Sequence, residues 1–192
     1  MQYLSIKKSD WDKMLDQLLL SFSVFATVRN EFSIDYEPIR QDNIKDIIYN
    51  VPKPSTSLKT FFLPVRENVT SGEFLRKKRL ILGSPSCDVA GLKILDEIYL
   101  DRDFNDIFYR NKRENTIIIS SDCLEMKDHC HCTAYGIKPW SEDGADMAVM
   151  IVGDVVLLRV ISEKGSNFRN SFLTDLAPAA ADLVSEAENA HM

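Results

Sequence analysis

Hydrophobic residues near the start of the chain recur at the spacing of an α-helix. The pattern predicts an amphipathic helix over residues 9–22 that packs on the core, with Ser9 as its cap. Its apolar face would comprise Trp11, Met14, Leu15, Leu18 and Leu19. The pattern then weakens: residues 23–36 are strand-like and loop-like, and residues 42–49 are typical of a short helix.

Prolines interrupt the part of the chain that follows. Pro52 and Pro54 predict an extended connector over residues 51–57, because proline removes a backbone donor and restricts the residue before it. Residues 59–65 then predict a short strand or extended segment that ends near Pro64.

The middle of the chain holds two short apolar runs with a helical pattern between them. Residues 79–83 and the β-branched run 116–119 predict buried strands, and residues 88–100 predict a helix. A strand, a helix and a strand in this order form a βαβ unit, whose two strands run parallel with a right-handed crossover.

The last third of the chain predicts a hairpin and a terminal helix. Two apolar runs, residues 147–152 and 155–161, are separated by Gly153 and Asp154, a pair that suits a tight primed turn. The predicted fold is therefore α/β: a mixed sheet with a βαβ unit followed by a β-hairpin, and helices at both ends. We expect a single domain over residues 1–176 and a helical or frayed tail over residues 177–192.

Composition and charge exclude several classes of function. The 192 residues carry 23 Lys and Arg against 29 Asp and Glu, a net charge of −6, which argues against general affinity for nucleic acid or an anionic membrane. The basic run at residues 76–79 is expected to be a solvated helix end or strand entry. No apolar stretch is long enough to span a membrane and no signal peptide is expected, so we expect a cytoplasmic protein with reduced thiols.

The cysteines are the main candidates for chemistry, because all of them fall in one part of the chain. They are Cys87, Cys123, Cys130 and Cys132. Buried cysteines that act only as small hydrophobic residues would be more scattered. The absence of nucleotide-binding, hydrolase and zinc-protease motifs leaves no predicted catalytic residue.

The predicted strands bring these cysteines together. Cys87 and Cys123 each follow one strand of the βαβ unit, and the carboxyl ends of parallel strands meet at the edge where open α/β sheets bind ligands. Cys130 and Cys132 lie on the loop that leaves Cys123 and can fold back over the same place. Cys87 would also lie at a helix N-terminus, which lowers the pKa of a thiol and favours a bound anion.

Four converging thiols could form several kinds of metal or redox site, and the spacing of the cysteines does not distinguish among them. Zn²⁺ in a Cys₄ site, an iron–sulfur cluster and a redox pair of Cys130 with Cys132 are all compatible with it, although the usual C-x2-C pairs are missing. His129 and His131 could also bind a metal, but four cysteines already complete a tetrahedral set. We therefore expect both imidazoles to be exposed or to donate to sulfur. Alternation along an extended loop would point His131 away from its cysteine neighbours.

Several ordered motifs around the cysteines resemble one known family. They are the apolar strand at residues 80–83, Cys87-Asp88 with Leu95-Asp96 in the following helix, Arg113-Glu114-Asn115-Thr116, Cys123, Cys130-His131-Cys132 with Gly136 and Pro139, and an upstream Lys59 to Pro64 segment with Arg66-Glu67. The sequence resembles the amino-terminal region of a family of iron–sulfur electron-transfer subunits, which comprises the beta subunits of sulfhydrogenases and their counterparts in anaerobic sulfite reductase. It departs from the family at His131, where Phe is common, and its 192 residues contain none of the family's ferredoxin-like cysteine runs.

This resemblance implies a function and a set of ligands. It implies that Cys87, Cys123, Cys130 and Cys132 bind one iron–sulfur cluster, [4Fe–4S]. The chain would then pass electrons from a flavin-bearing or nicotinamide-linked subunit to a catalytic subunit of the hydrogenase or sulfite reductase type, or in the reverse direction. The alternative is a structural or interaction subunit, stabilised by Zn or free of metal, without a redox role.

Overall fold

The strands of the protein form one mixed sheet. The computed structural model describes residues 3–65, 77–128 and 130–191. Within them the strands are β1 (Tyr3–Lys7), β2 (Ser23–Arg29), β3 (Ile34–Pro38), β4 (Arg79–Ser84), β5 (Thr116–Ser121), β6 (Met147–Val152), β7 (Val155–Val160) and β8 (Ala177–Pro178). Their order across the sheet is β3-β2-β4-β5-β6-β7-β1-β8. The neighbouring strands β2, β4, β5 and β6 run parallel to one another. The other neighbouring pairs in the sheet are antiparallel.

Helices cover the sheet and lie near both ends of the chain. They are α1 (Lys8–Leu18), α2 (Ser86–Tyr99), α3 (Ile107–Glu114), α4 (Glu163–Phe172) and α5 (Ala181–Ala190), with short 3₁₀ turns at Ile44–Asp46, Leu58–Phe61 and Cys132–Tyr135. The predicted fold class is confirmed: the sheet is mixed and the helices include one near each end. No helix within the described ranges is long and apolar enough to cross a membrane.

The predicted βαβ unit is present between β4 and β5. The two strands pair in parallel, with Leu80 opposite Ile117 and Leu82 opposite Ile119. Nearly every residue of both strands is buried, which explains why each appears in the sequence as a continuous apolar run. The crossover contains α2 and α3, and the Asp106 carboxylate begins α3 by accepting hydrogen bonds from the first-turn amides.

The predicted hairpin is confirmed as β6 and β7. Their pairing runs from Met147 opposite Val160 to Val152 opposite Val155, which leaves Gly153 and Asp154 as the turn. Gly153 has a φ of 57°, a conformation that glycine adopts without strain. Beyond α4, β8 pairs with β1, and Ala187 of α5 packs on the sheet beside Met150 and Leu157. The division of the chain at residue 176 stays a prediction.

Alternate residues of the central strands pack into two separate cores. Leu80, Leu82 and Ile119 face α1 and α4 in the larger core, which includes the fully buried Trp11 and Leu15. The smaller core lies on the other face of the sheet. It contains Ile81, Ile118, Val89, Leu92, Tyr109, Leu58 and Phe62. This division follows from the period of two in a β-strand.

Local predictions are less accurate where capping and long-range contacts decide the conformation. Ser9 is not a cap: α1 begins at Lys8 and ends at Leu18, four residues before the predicted end. Residues 42–49 form only the 3₁₀ turn Ile44–Asp46.

The strand predicted over residues 59–65 is wrong. This part of the chain forms the 3₁₀ helix Leu58–Phe61, because the Leu58 amide is held by the distant Asp88 carboxylate. Leu58 and Phe62 can then both be fully buried in the smaller core. The Arg66 and Glu67 of the family resemblance and Arg76 of the basic run lie outside the described residues.

Candidate functional site: a cysteine-lined cavity at the sheet edge

Two of the cysteines follow neighbouring parallel strands, as predicted. Cys87 is the second residue of α2, which begins directly after β4, and Cys123 comes two residues after the end of β5. Because β4 and β5 are parallel and adjacent, the two cysteines lie at the same edge of the sheet.

The loop that leaves Cys123 returns to this edge. The Cys123 amide donates a hydrogen bond to the Pro139 carbonyl at 2.8 Å, which closes the base of the loop. Further along, the Ile137 amide donates to the Cys132 carbonyl at 3.0 Å and so fixes the turn that follows Cys132. The structure therefore brings Cys130 and Cys132 back toward Cys87.

Three of the thiols line one cavity. The cavity has a volume of about 480 Å³, and Cys87, Cys130 and Cys132 contribute to its wall. The segment from Pro52 to Ser55 also lines this cavity. All four cysteines of the chain are free thiols of intermediate exposure, so they are sheltered and still accessible.

Cys123 lies next to this cavity rather than in its wall. Its thiol donates to the Glu125 carbonyl at 3.2 Å, and it interacts electrostatically with Cys87, Cys130 and Cys132. Burial raises the pKa of the Cys123 thiol, and the neighbouring cysteines raise it further. The four thiols therefore form one electrostatically coupled group.

The pKa of Cys87 differs from the prediction. Although Cys87 lies in the first turn of α2, burial raises the pKa of its thiol to about 11, and the Asp88 carboxylate and Cys132 add to the effect. Only Lys53 acts in the opposite direction among the causes that are resolved for this thiol. The prediction of a lowered pKa is wrong because burial, the largest cause, disfavours the charged thiolate. A metal that binds here must therefore displace protons.

Three of the cysteines line one cavity, and the four do not converge on one point. Among the described residues, no three His, Cys, Asp or Glu side chains form a group that could hold a single metal ion. The donor set nevertheless fits a polynuclear iron–sulfur group, which takes thiolates from four separate directions. One sulfur already accepts a backbone hydrogen bond, from the Lys127 amide to Cys130 Sγ at 3.3 Å.

His131 lies between two of the cavity cysteines and is exposed. It contributes to the cavity wall, and its backbone has φ −126° and ψ 7°, which is not extended. The side-chain alternation predicted for an extended loop is therefore absent at His131, because Cys132 begins a 3₁₀ turn. His129 lies outside the described residues.

Sequence reasoning missed three charged residues beside the cysteines. Asp88 is buried, and its carboxylate accepts hydrogen bonds from the Leu58 amide at 3.0 Å and the Ser57 hydroxyl at 3.3 Å. Lys53 Nζ lies 3.4 Å from Asp88 Oδ1. In the sequence, only the position of Asp88 next to Cys87 indicated a role at the site, and nothing indicated such a role for Lys53.

The third missed residue, Asp122, directly precedes Cys123. Its carboxylate is fully buried and receives both a bidentate contact from Arg159 and a contact from His191. Its only signal in the sequence was an acidic residue immediately after a buried strand.

Comparison with known proteins agrees with the family resemblance seen at the cysteines. The chain, a mixed α/β domain with a cysteine-lined cavity, is similar to sulfhydrogenase 2 subunit beta of Pyrococcus furiosus. The two are 26% identical over 175 residues, which is 88% of this chain and 51% of that protein. The chain thus spans about half the length of this curated relative. No protein-family model matches the chain, and no solved structure matches it significantly.

Proposed function

We propose that the chain is an electron-transfer module that binds one iron–sulfur cluster, [4Fe–4S], through Cys87, Cys123, Cys130 and Cys132. The observation that carries the proposal is the cysteine-lined cavity at the carboxyl ends of β4 and β5, where three thiols form the wall and the fourth is electrostatically coupled to them. The similarity to a protein named as a sulfhydrogenase subunit supports a redox role.

The arrangement of the thiols favours a cluster over zinc. A zinc ion needs all four sulfur atoms about 2.3 Å from one point. The cysteines here surround a cavity of about 480 Å³ instead, with Cys123 at its margin. When bound, a cluster would supply one-electron redox chemistry.

The protein's own contribution is to hold the thiols and control their environment. The Lys127 amide that donates to Cys130 Sγ stabilises negative charge on that sulfur. The half-buried position of the cysteines limits contact with water, and both factors set the reduction potential of such a site.

The proposed partners are other subunits of a redox complex in the cytoplasm. A centre that passes single electrons needs a donor and an acceptor within reach. We assign these roles to a catalytic subunit of the hydrogenase or sulfite reductase type and to a flavin-bearing or nicotinamide-linked subunit. The name of the relative, a beta subunit, supports assembly with other chains.

Anaerobic purification and reconstitution of the chain test this proposal directly. We expect about four iron and four sulfide per chain, a visible charge-transfer absorption and a paramagnetic signal on reduction. Each single Cys→Ser variant at the four positions should lose most of this iron. Ser86→Ala is the matched control, because it removes a neighbouring side chain that hydrogen-bonds the Lys138 carbonyl without removing a thiol. Stoichiometric zinc with no iron under these conditions would contradict the proposal.

A further inference from the structure

One cationic side chain lies in the wall of the cysteine cavity. Lys53 lines it together with Cys87, Cys130 and Cys132, and its side chain is 53% exposed. Among the described residues of this wall, Lys53 is the only lysine or arginine.

The segment that carries Lys53 is fixed at its amino-terminal end. Asn50 has a φ of 58°, and its backbone amide donates to Ser121 Oγ at 2.8 Å. Its side-chain amide exchanges two hydrogen bonds with the backbone of Ile151, at 2.8 and 3.1 Å. The Asn50 carbonyl also accepts from the Leu124 amide, next to Cys123. The segment is thus joined to β5, β6 and the cysteine loop.

The carboxyl-terminal side of the segment is fixed as well. The Ser55 amide donates to the Ile34 carbonyl at 2.9 Å, and the Leu58 amide donates to Asp88. Between these anchors Pro52 and Pro54 flank Lys53, and both prolines are buried. Because proline restricts its own φ and the residue before it, the backbone of Lys53 has little freedom.

The charges around Lys53 show what a cation at this place does: it offsets negative charge beside the cysteines. Asp88 is buried directly beside Cys87, and its carboxylate accepts a hydrogen bond from the Leu58 amide. A carboxylate beside a group of thiolates opposes any further negative charge at the site. Lys53 Nζ, 3.4 Å from Asp88 Oδ1, offsets this effect.

We propose that Lys53 raises the reduction potential of the proposed cluster by offsetting the charges of Asp88 and the cysteine thiolates. This inference rests on the function proposed above. Reduction adds one electron to the site, with no bond made or broken and no proton required from this chain. The added negative charge is stabilised by a nearby cation, so Lys53 favours the reduced state.

Potentiometric titration of the reconstituted protein, followed by its paramagnetic signal, tests this role. We expect Lys53→Met to lower the ratio of reduced to oxidised cluster at a fixed potential by about tenfold, the effect of one charge at intermediate distance in a partly solvated site. Lys53→Glu should lower the ratio further, and Lys53→Arg should keep it within about twofold of the native value. Lys53→Gln provides a second neutral side chain. Lys13→Met, which removes an exposed charge on α1, is the control and should leave the potential unchanged.

The outcomes separate this inference from the proposed function. A native protein that binds a cluster, with the same potential in Lys53→Met and Lys13→Met, overturns the role of Lys53 alone. A shift in Lys53→Arg as large as that in Lys53→Met also overturns it, because the effect would then come from lost packing. A native protein that incorporates no iron–sulfur cluster overturns the proposed function and this inference together.

Discussion

Asp122 and Arg159 form a buried ion pair directly beside the cysteine site. Arg159 Nη2 contacts both carboxylate oxygens of Asp122, at 2.7 and 2.9 Å, and the side chains of Arg159 and Asp122 are only 3% and 0% exposed, respectively. The same carboxylate lies 2.9 Å from His191 Nε2, and the His191 ring stacks on Trp140 at 4.4 Å. One buried carboxylate therefore joins the residue before Cys123, the strand β7 and the end of α5.

Removing one partner of this pair should strongly destabilise the fold. We expect Arg159→Met to lower the free energy of unfolding by about 3–5 kcal/mol, because Asp122 is then left charged and buried. Urea unfolding followed by circular dichroism measures this effect. Lys138→Met, which breaks the exposed contact between Lys138 and Glu142, is the control and should cost at most about 0.5 kcal/mol. An equal decrease in the free energy of unfolding in the two variants would show that burial does not increase the contribution of this ion pair to stability.

Loss of Cys123 should affect the loop more than the sheet. We expect Cys123→Ser to lose the proposed cluster and to increase hydrogen exchange over residues 123–139, because none of the described residues of this loop is buried. The strands β4 and β5 should keep their protection, since each pairs with a strand on both sides and nearly all of their residues are buried. Unchanged exchange of the loop in this variant would mean that bound metal is not what orders it.

His131 should be dispensable for metal content. We expect His131→Phe to keep the full iron content, because His131 is exposed and the four ligands proposed above are all thiols. Iron and sulfide analysis after anaerobic reconstitution measures this, with Cys130→Ser as the variant that should lose iron. A stoichiometric loss of iron in His131→Phe would make the imidazole a ligand and remove one cysteine from the proposed set.

Two helical glycines should respond to alanine in opposite ways. A Cβ at Gly165, in the first turn of α4, would lie 1.9 Å from the Asp146 carbonyl oxygen, so Gly165→Ala requires the backbone to move. At Gly91 in α2 an added Cβ has nothing within 4 Å. We expect Gly165→Ala to destabilise the protein by about 2 kcal/mol or more. Gly91→Ala should stabilise it by about 0.5–1 kcal/mol, since alanine favours a helix interior. Thermal unfolding of both variants tests this pair, and a gain in stability from Gly165→Ala would contradict the close contact.

The sequence was sufficient for the features that depend on local patterns. Continuous apolar runs marked β4 and β5 because both strands are buried on both faces. The pair of Gly153 and Asp154 marked the hairpin because its turn needs a positive φ. Once the strands are known to be parallel, the placement of Cys87 and Cys123 at one edge follows from the topology alone. The family resemblance also came from the sequence, and the similar beta subunit from Pyrococcus furiosus agrees with it.

Other features depend on partners that are distant in the sequence, and only the tertiary structure decided them. The segment 59–65 has the composition of a strand, yet the Asp88 carboxylate and the burial of Phe62 hold its start in a 3₁₀ turn. Likewise, nothing in the local sequence around Lys53 indicates the role proposed for it, because that role depends on the cavity that it lines. The pKa of Cys87 is raised because tertiary packing removes water from the thiol, an effect that opposes the local helix N-terminus. Hydrophobic periodicity reports which residues are buried, whereas the electrostatics of a site depend on which buried and charged groups finally meet.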